Sequence, residues 1–117
     1  MKKFAESHEY VIVEGNVGTV GISVGAADEL GDITYVDLPE VGKEIKKGDA
    51  VCSVESVKSA GDIYSPVSGK IIEVNSDLED APEKINEDAE GEGWIYKIEL
   101  SDESELDSLK DEDWYKK

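Results

Sequence analysis

One lysine stands among small residues in SVESVKSAGDIYSP, residues 53–66. Lys58 is flanked by a valine and a serine, with Glu55 three residues before it and Asp62 four residues after it. Acidic, small neighbours keep an ammonium group charged, whereas a nucleophilic lysine needs desolvation or nearby cations, so a Schiff-base role is disfavoured. Strand-like sequence on both sides instead predicts a lysine presented on a turn to an external acylating enzyme. An ordinary solvated turn lysine is the alternative.

The other residues that could do chemistry are few. Cys52 is the only cysteine, which excludes an internal disulfide. It alternates with Ala50 and Val54, so we predict a buried core thiol, with a redox thiol as the alternative. His8 is the only histidine, and we interpret it as a packing or hydrogen-bonding residue rather than a general base. Without a cluster of histidines or cysteines, no metal site is predicted.

The composition excludes several classes of function. The 117 residues carry a net charge of −17, and the 12 basic residues are all lysine. A field of this sign repels nucleic acid and anionic membranes, and no guanidinium is present to bind phosphate. No apolar run is long enough to cross a membrane or to form a secretory signal, which predicts a cytoplasmic protein. We expect a single domain over residues 1–117, and a monomer.

The elements that must position Lys58 are mostly strands. EYVIVEGNVGTVGISV contains two β-rich runs around Glu14-Gly15-Asn16, which predicts a hairpin. AVCSVE alternates with a period of two, as a half-buried strand does. GAADEL, ended by Gly31, forms one helical turn, and the acidic segment 76–93 is a loop with at most one more. A C-terminal helix is predicted over about 102–115, because capping and acidic residues precede leucines that share a face.

An imperfect internal repeat places Lys58 between two similar units. PEVGK at 39–43 is similar to PVSGK at 66–70, and GDI occurs at 31–33 and at 61–63. Two β units related by a pseudo-twofold axis would give this pattern. Chance is the alternative, because Gly, Asp and Pro are common in turns.

The chain resembles the H protein of the glycine cleavage system. VESVKSAGDIYSPVSGKIIEVN resembles that family's lipoyl-attachment segment, and SHEYVIVEGNVGTVGIS is similar to its N-terminal hairpin. ELGDITYVDLPEVG and INEDAEGEGWIYKIELSDESELDSL are similar to later segments, so the resemblance runs from about Ser7 to about Tyr115. Biotinyl domains differ in having methionine on both sides of the modified lysine. Lipoyl domains of the 2-oxo-acid dehydrogenases are shorter and carry a D-K-A turn.

The resemblance implies a fold and a function. The fold would be mainly β, a lipoyl-type barrel-sandwich hybrid of two antiparallel sheets with short helices and a C-terminal helix. The chain would be a non-catalytic carrier with lipoate in amide linkage to Lys58. Its lipoyl arm would take the aminomethyl group of glycine from the P protein to the T protein and deliver electrons to the L protein. A lipoate ligase or lipoyl transferase would attach the cofactor.

The resemblance also implies roles for four further residues. Ser7, Glu9 and Asp62 match positions that line the cleft for the loaded arm, whose ammonium head needs anionic and hydroxyl partners on leaving water. Glu55 would be recognised by the lipoylating enzyme. Without the resemblance, Glu9 would be interpreted as a solvent-exposed charge on a strand, and Ser7 as the residue that starts that strand.

The chain departs from the family pattern at three places. ISVGA stands where the family usually reads I-T-D-H-A, so Val24 and Gly25 replace a charged residue and an imidazole. Ala89-Glu90 replaces P-Y before G-x-G-W, and Tyr10 replaces a tryptophan. Two other functions are possible for such a sequence. One is a divergent H-like protein that relays lipoate to other lipoyl domains. The other is an acidic interaction domain without the cofactor, and the intact ESVK segment disfavours this second alternative.

Overall fold

Two antiparallel sheets form the body of the molecule. The structure, a computed structural model, describes residues 2–111. Within them the larger sheet has the strand order β1-β2-β3-β9-β8-β5, and the smaller has the order β4-β6-β7. The strands are β1 (Lys2–Phe4), β2 (Glu9–Glu14), β3 (Val17–Ile22), β4 (Ile33–Asp37), β5 (Glu44–Ile45), β6 (Ala50–Ser56), β7 (Ala60–Tyr64), β8 (Gly69–Val74) and β9 (Tyr96–Leu100). The predicted two-sheet, mainly β fold is confirmed.

The predicted hairpins supply most of this framework. β2 pairs with β3 from Glu9 opposite Ile22 to Glu14 opposite Val17. The turn between them uses Gly15 at φ 62°, a left-handed conformation that glycine adopts without steric cost. β6 and β7 form the second hairpin, in which Ser53 lies opposite Asp62. Lys58 therefore lies in the turn of a hairpin, as predicted.

One hydrophobic core joins the two sheets. Inward residues alternate along the strands, so Cys52 and Val54 of β6 pack with Ile98 of β9 and Val20 of β3 in a single cluster. Burying apolar surface in this way is the main favourable term in folding. The predicted burial of Cys52 is confirmed, because 8% of the residue is exposed.

Short helices close the ends of the sheets. They are α1 (Val24–Leu30), α2 (Asp77–Asp80), α3 (Lys84–Asp88) and a 3-10 helix (Glu103–Ser108). Ser23 caps α1 by accepting a hydrogen bond from Ala26 N–H, and Gly31 ends the helix. The acidic segment 76–93 contains two helical turns where at most one was predicted. Buried Leu78 and Ile85 anchor them.

A helix is present at the predicted C-terminal position, but within the described residues it is a 3-10 helix that covers only Glu103–Ser108. The segment winds as a 3-10 helix that ends at Leu109, whose backbone is extended. Lys110 then exchanges two backbone hydrogen bonds with Phe4 of the unpredicted strand β1, at 2.7 and 2.8 Å. The open edge of β1 satisfies these backbone groups, so the chain leaves the helical path. Residues 112–115 of the prediction lie outside the described residues.

No helix in residues 2–111 has the length and apolar character needed to cross a membrane.

Candidate functional site: a lysine turn and a buried carboxylate

The side chain of Ser56 fixes the turn that carries Lys58. Its Oγ accepts hydrogen bonds from Lys58 N–H (3.2 Å) and Ser59 N–H (3.1 Å) and donates to the Ser59 carbonyl at 3.1 Å. The Ser56 N–H also donates to the Ser59 carbonyl, at 2.7 Å. Side-chain bonds of this kind replace ladder bonds where a strand ends. The tip of the hairpin is thus a defined turn, although it is exposed.

Lys58 itself is exposed and forms no ion pair within residues 2–111. Its neighbour Val57 is 66% exposed, so both residues at the tip of the hairpin are accessible to solvent. The stem of Lys58 lies beside Gly31, where a Cβ built on the glycine would be 3.4 Å from Cε. An acylating enzyme could therefore reach Nζ without displacing other parts of the protein.

A second tie fixes the turn from outside the hairpin. Val57 N–H donates to the Asp32 carbonyl at 3.0 Å. The segment around Asp32 is held in turn by Asn86 of α3, which bonds the Gly31 carbonyl and the Ile33 N–H, each at 2.8 Å. Neither Ser56 nor Asn86 was predicted from the sequence to position the turn. A serine two residues before a turn residue is a signal for the first, whereas nothing in the local pattern signals the second.

Glu9 is a buried carboxylate at the start of β2. It is 3% exposed, and Ser7 donates its hydroxyl hydrogen to Oε1. Tyr64 N–H on β7 donates to Oε2 at 3.0 Å. No lysine in residues 2–111 forms an ion pair with it. A buried charge is costly unless it is paired or hydrogen-bonded, and within residues 2–111 these two donors supply hydrogen bonds to the carboxylate. The interpretation of Glu9 as a solvated strand charge is wrong.

An unusual backbone at His8 brings Ser7 onto Glu9. His8 has φ 74°, a left-handed conformation that is uncommon for residues other than glycine. Its N–H donates to the Ala5 carbonyl at 2.9 Å, and its carbonyl accepts from Ser23 N–H at 2.8 Å. These bonds tie the Ser7–Glu9 corner to the capping residue of α1. The left-handed residue turns the chain back, so the hydroxyl of Ser7 meets the carboxylate two residues later.

Asp62 lies apart from the Ser7–Glu9 contact. It is exposed on β7, opposite Ser53. Burial, which has the largest effect, and the negative charges of Asp37, Glu9 and Asp62 together raise the pKa of the Cys52 thiol to about 12. The charges of Glu9 and Asp62 therefore both raise the pKa of the buried Cys52 thiol. No hydrogen bond joins the two carboxylates within the described residues. Glu55, near the turn, is also exposed.

The three departures from the family pattern meet in one place. The Tyr10 hydroxyl donates to the Ala89 carbonyl at 2.8 Å, and Glu90 accepts the Val24 N–H at 2.9 Å. The ammonium group of Lys2 pairs with the other oxygen of Glu90. The residues at the three departures therefore contact one another. Through Glu90, these contacts also join Lys2 of β1 to the start of α1.

The site consists of an exposed lysine on a fixed turn and a buried, hydrogen-bonded carboxylate. Among residues 2–111 no group of His, Cys, Asp and Glu could hold a metal ion. A β sandwich with an exposed lysine on a hairpin turn has the architecture of a lipoyl-type carrier domain. Within that class, the family model described as Glycine cleavage H-protein matches residues 2–117. The chain belongs to the glycine cleavage H-protein family.

Individual relatives agree with this assignment. The glycine cleavage system H protein of Thermotoga maritima is 58% identical over 115 residues, which cover 98% of this chain and 93% of that protein. The H protein of Staphylococcus haemolyticus is 54% identical over 114 residues, covering 97% and 90%. The crystal structure of a glycine cleavage system H protein from Mycobacterium marinum is similar with a TM-score of 0.88. It is 33% identical, and the match covers 97% of this chain and 92% of that one.

Proposed function

We propose that this chain is the lipoyl carrier of glycine cleavage and that lipoate is attached to Lys58 as an amide. The observation that carries the proposal is the exposed Lys58 on a turn fixed by Ser56. A modifying enzyme needs an accessible amine at a reproducible position, and small flanks give it room. When bound, lipoate supplies a redox-active dithiolane on a long flexible arm. The chain itself is non-catalytic. It provides the attachment site for lipoate, keeps that site exposed to the partner enzymes, and protects the loaded arm from water.

We assign the shelter for the loaded arm to the corner formed by Ser7 and Glu9, with Asp62 as a more distant, exposed carboxylate on β7. The cargo derived from glycine ends in an ammonium group, and Glu9 is a buried carboxylate without a cation among the described residues. Hydrogen bonds to charged groups are about twice as strong as neutral ones. The corner therefore favours a cationic cargo over a neutral, unloaded arm. Asp62 strengthens the negative potential there.

The partners follow from this role. They are the decarboxylating P protein, the aminomethyl-transferring T protein and the L protein that reoxidises the dithiol. A lipoate ligase or lipoyl transferase, recognising Glu55, attaches the cofactor. The net charge of −17 favours encounter with basic docking surfaces on these enzymes. A cytoplasmic location and a monomeric state stay predictions. The relay of lipoate to other lipoyl domains has no support in the comparisons.

The attachment is tested by intact-mass measurement after incubation with a lipoate ligase, lipoate and ATP. Wild type should gain the mass of one lipoyl group, and Lys58→Arg should gain none. Lys43→Arg is the matched control, because Lys43 is another exposed lysine beside a turn. A lipoyl group that still attaches to Lys58→Arg would overturn the assignment.

A further inference from the structure

Asn86 bridges two backbone groups on a different part of the chain. It belongs to α3 and is exposed, yet both ends of its amide are engaged. Nδ2 donates to the Gly31 carbonyl and Oδ1 accepts from Ile33 N–H, both at 2.8 Å. Only a side chain with a donor and an acceptor at fixed spacing can make this pair of bonds. Asn86 therefore fixes segment 31–33 from a distant part of the chain, in addition to the Gly31 N–H bond to the Ala27 carbonyl that ends α1.

The fixed segment contacts the lysine turn at two points. The Asp32 carbonyl accepts from Val57 N–H at 3.0 Å. Gly31 has φ 79°, and a Cβ added to it would lie 3.4 Å from Cε and 3.6 Å from Cδ of Lys58. The backbone of Gly31 thus forms the surface against which the lysine stem lies. Any movement of segment 31–33 changes both the position of Val57 and the support of the lysine stem.

We propose that Asn86 is a positioning residue for Lys58 that acts through segment 31–33. Its two amide hydrogen bonds go to Gly31 and Ile33 rather than to Lys58, so its effect on the lysine is indirect. Because Asn86 is exposed, its truncation opens no cavity in the core, and a local effect can be separated from a global one. The inference rests on the proposed function only in naming lipoylation as the step that benefits. The positioning of Val57 can be measured without any cofactor.

The test compares Asn86→Ala with Asn75→Ala. Asn75 is the matched control, since its amide also donates to two backbone carbonyls, those of Glu92 and Trp94, at 2.9 and 2.8 Å. Two readouts are taken on the unmodified full chain and on the ligase reaction. They are hydrogen exchange at Val57 N–H and kcat/KM for lipoylation, with the melting temperature measured alongside.

We expect Asn86→Ala to raise the Val57 exchange rate relative to global opening and to lower kcat/KM by about tenfold, which corresponds to 1.4 kcal/mol. Asn75→Ala should lower the melting temperature more, yet leave lipoylation near the wild-type rate. Asn86→Asp keeps the acceptor for Ile33 N–H and loses the donor, so its kcat/KM should fall between wild type and Asn86→Ala. Such partial rescue is not expected from a general loss of stability.

Two failures are distinguishable. If wild type gains no lipoyl mass while Val57 exchange responds to Asn86→Ala, the proposed function fails and the positioning of the turn stands. If wild type is lipoylated and Asn86→Ala matches it in both kcat/KM and Val57 exchange, the inference is overturned. If Asn86→Ala does not fold, Asn86→Asp decides by the same two measurements.

Discussion

Replacing Glu9 by glutamine should expose the cargo without disturbing the fold. The carboxylate is 3% exposed and is bonded by the Ser7 hydroxyl and by Tyr64 N–H. Glutamine has the same shape. Its oxygen can accept from Tyr64 N–H, and its amide can donate to the Ser7 hydroxyl. Both contacts are retained, so the free energy of unfolding should change by less than about 1 kcal/mol.

The interaction with a cationic cargo should weaken much more. A hydrogen bond to a charged group contributes about 1.5–3 kcal/mol, against about 1 kcal/mol for a neutral pair. The difference of ~0.5–2 kcal/mol lowers the ratio of sheltered to free arm roughly 2- to 30-fold. Glu9→Gln should therefore release formaldehyde and ammonia from the loaded carrier faster by about that factor. Its lipoylation should match wild type, since the unloaded arm is neutral.

The assay loads lipoylated protein with glycine and the P protein, removes the enzyme, and follows both products without T protein. Glu14→Gln is the matched control, because Glu14 lies exposed at the other end of the same strand. It should release product at the wild-type rate. The double variant Glu9→Gln/Asp62→Asn should release faster still. Equal release rates for wild type and Glu9→Gln would show that Glu9 does not protect the cargo, and Glu9 would then be a structural residue of the β2 corner.

Three further predictions concern the thiol, the backbone and the surface charge. Burial, with the charges of Asp37, Glu9 and Asp62, raises the pKa of Cys52 from 9.0 to about 12. At pH 8 a thiol reagent should therefore label the native protein on the order of 10³-fold more slowly than the urea-unfolded chain, and equal labelling rates would contradict the burial of the thiol. Because the unfolded chain loses the thiol proton first, the free energy of unfolding should also fall as pH rises from 9 towards 12. His8→Gly should be at least as stable as wild type in urea unfolding, whereas His8→Val should lose about 1–2 kcal/mol. The left-handed backbone at this position is strained for a branched residue. Equal stability of the two variants would show that the backbone at residue 8 is not strained. The apparent KM for the carrier with the P protein should rise with ionic strength, because 0.1 M salt screens charges beyond about 10 Å, and a flat response would exclude electrostatic steering.

Local sequence patterns predicted the parts of the fold that local interactions determine. Gly15 marked the first hairpin, and Cys52 and Val54 showed the alternation of a half-buried strand. The small residues around Lys58 indicated a turn, which the structure places at the tip of β6 and β7. Each of these features depends on neighbours within a few residues, where propensity and periodicity carry information.

Contacts between distant segments could not be predicted in this way. Strand β1 exists because Phe4 pairs with Tyr10 and, at the other end of the chain, with Lys110, and the same pairing ends the C-terminal helix early. The amide of Asn86 reaches a segment more than 50 residues away. The burial of Glu9 depends on a donor from β7, which nothing in its own neighbourhood signals.

The role of this chain as a lipoyl carrier can be measured directly in glycine decarboxylation with purified P protein. The carrier is supplied as lipoylated wild type, as unmodified wild type and as Lys58→Arg after the same ligase treatment, and the exchange of labelled bicarbonate into glycine is measured. Lipoylated wild type should support exchange, while the unmodified protein and Lys58→Arg should give only the rate of P protein alone. Exchange at the wild-type rate with Lys58→Arg, or none with lipoylated wild type, would contradict the assignment of this chain as the lipoyl carrier.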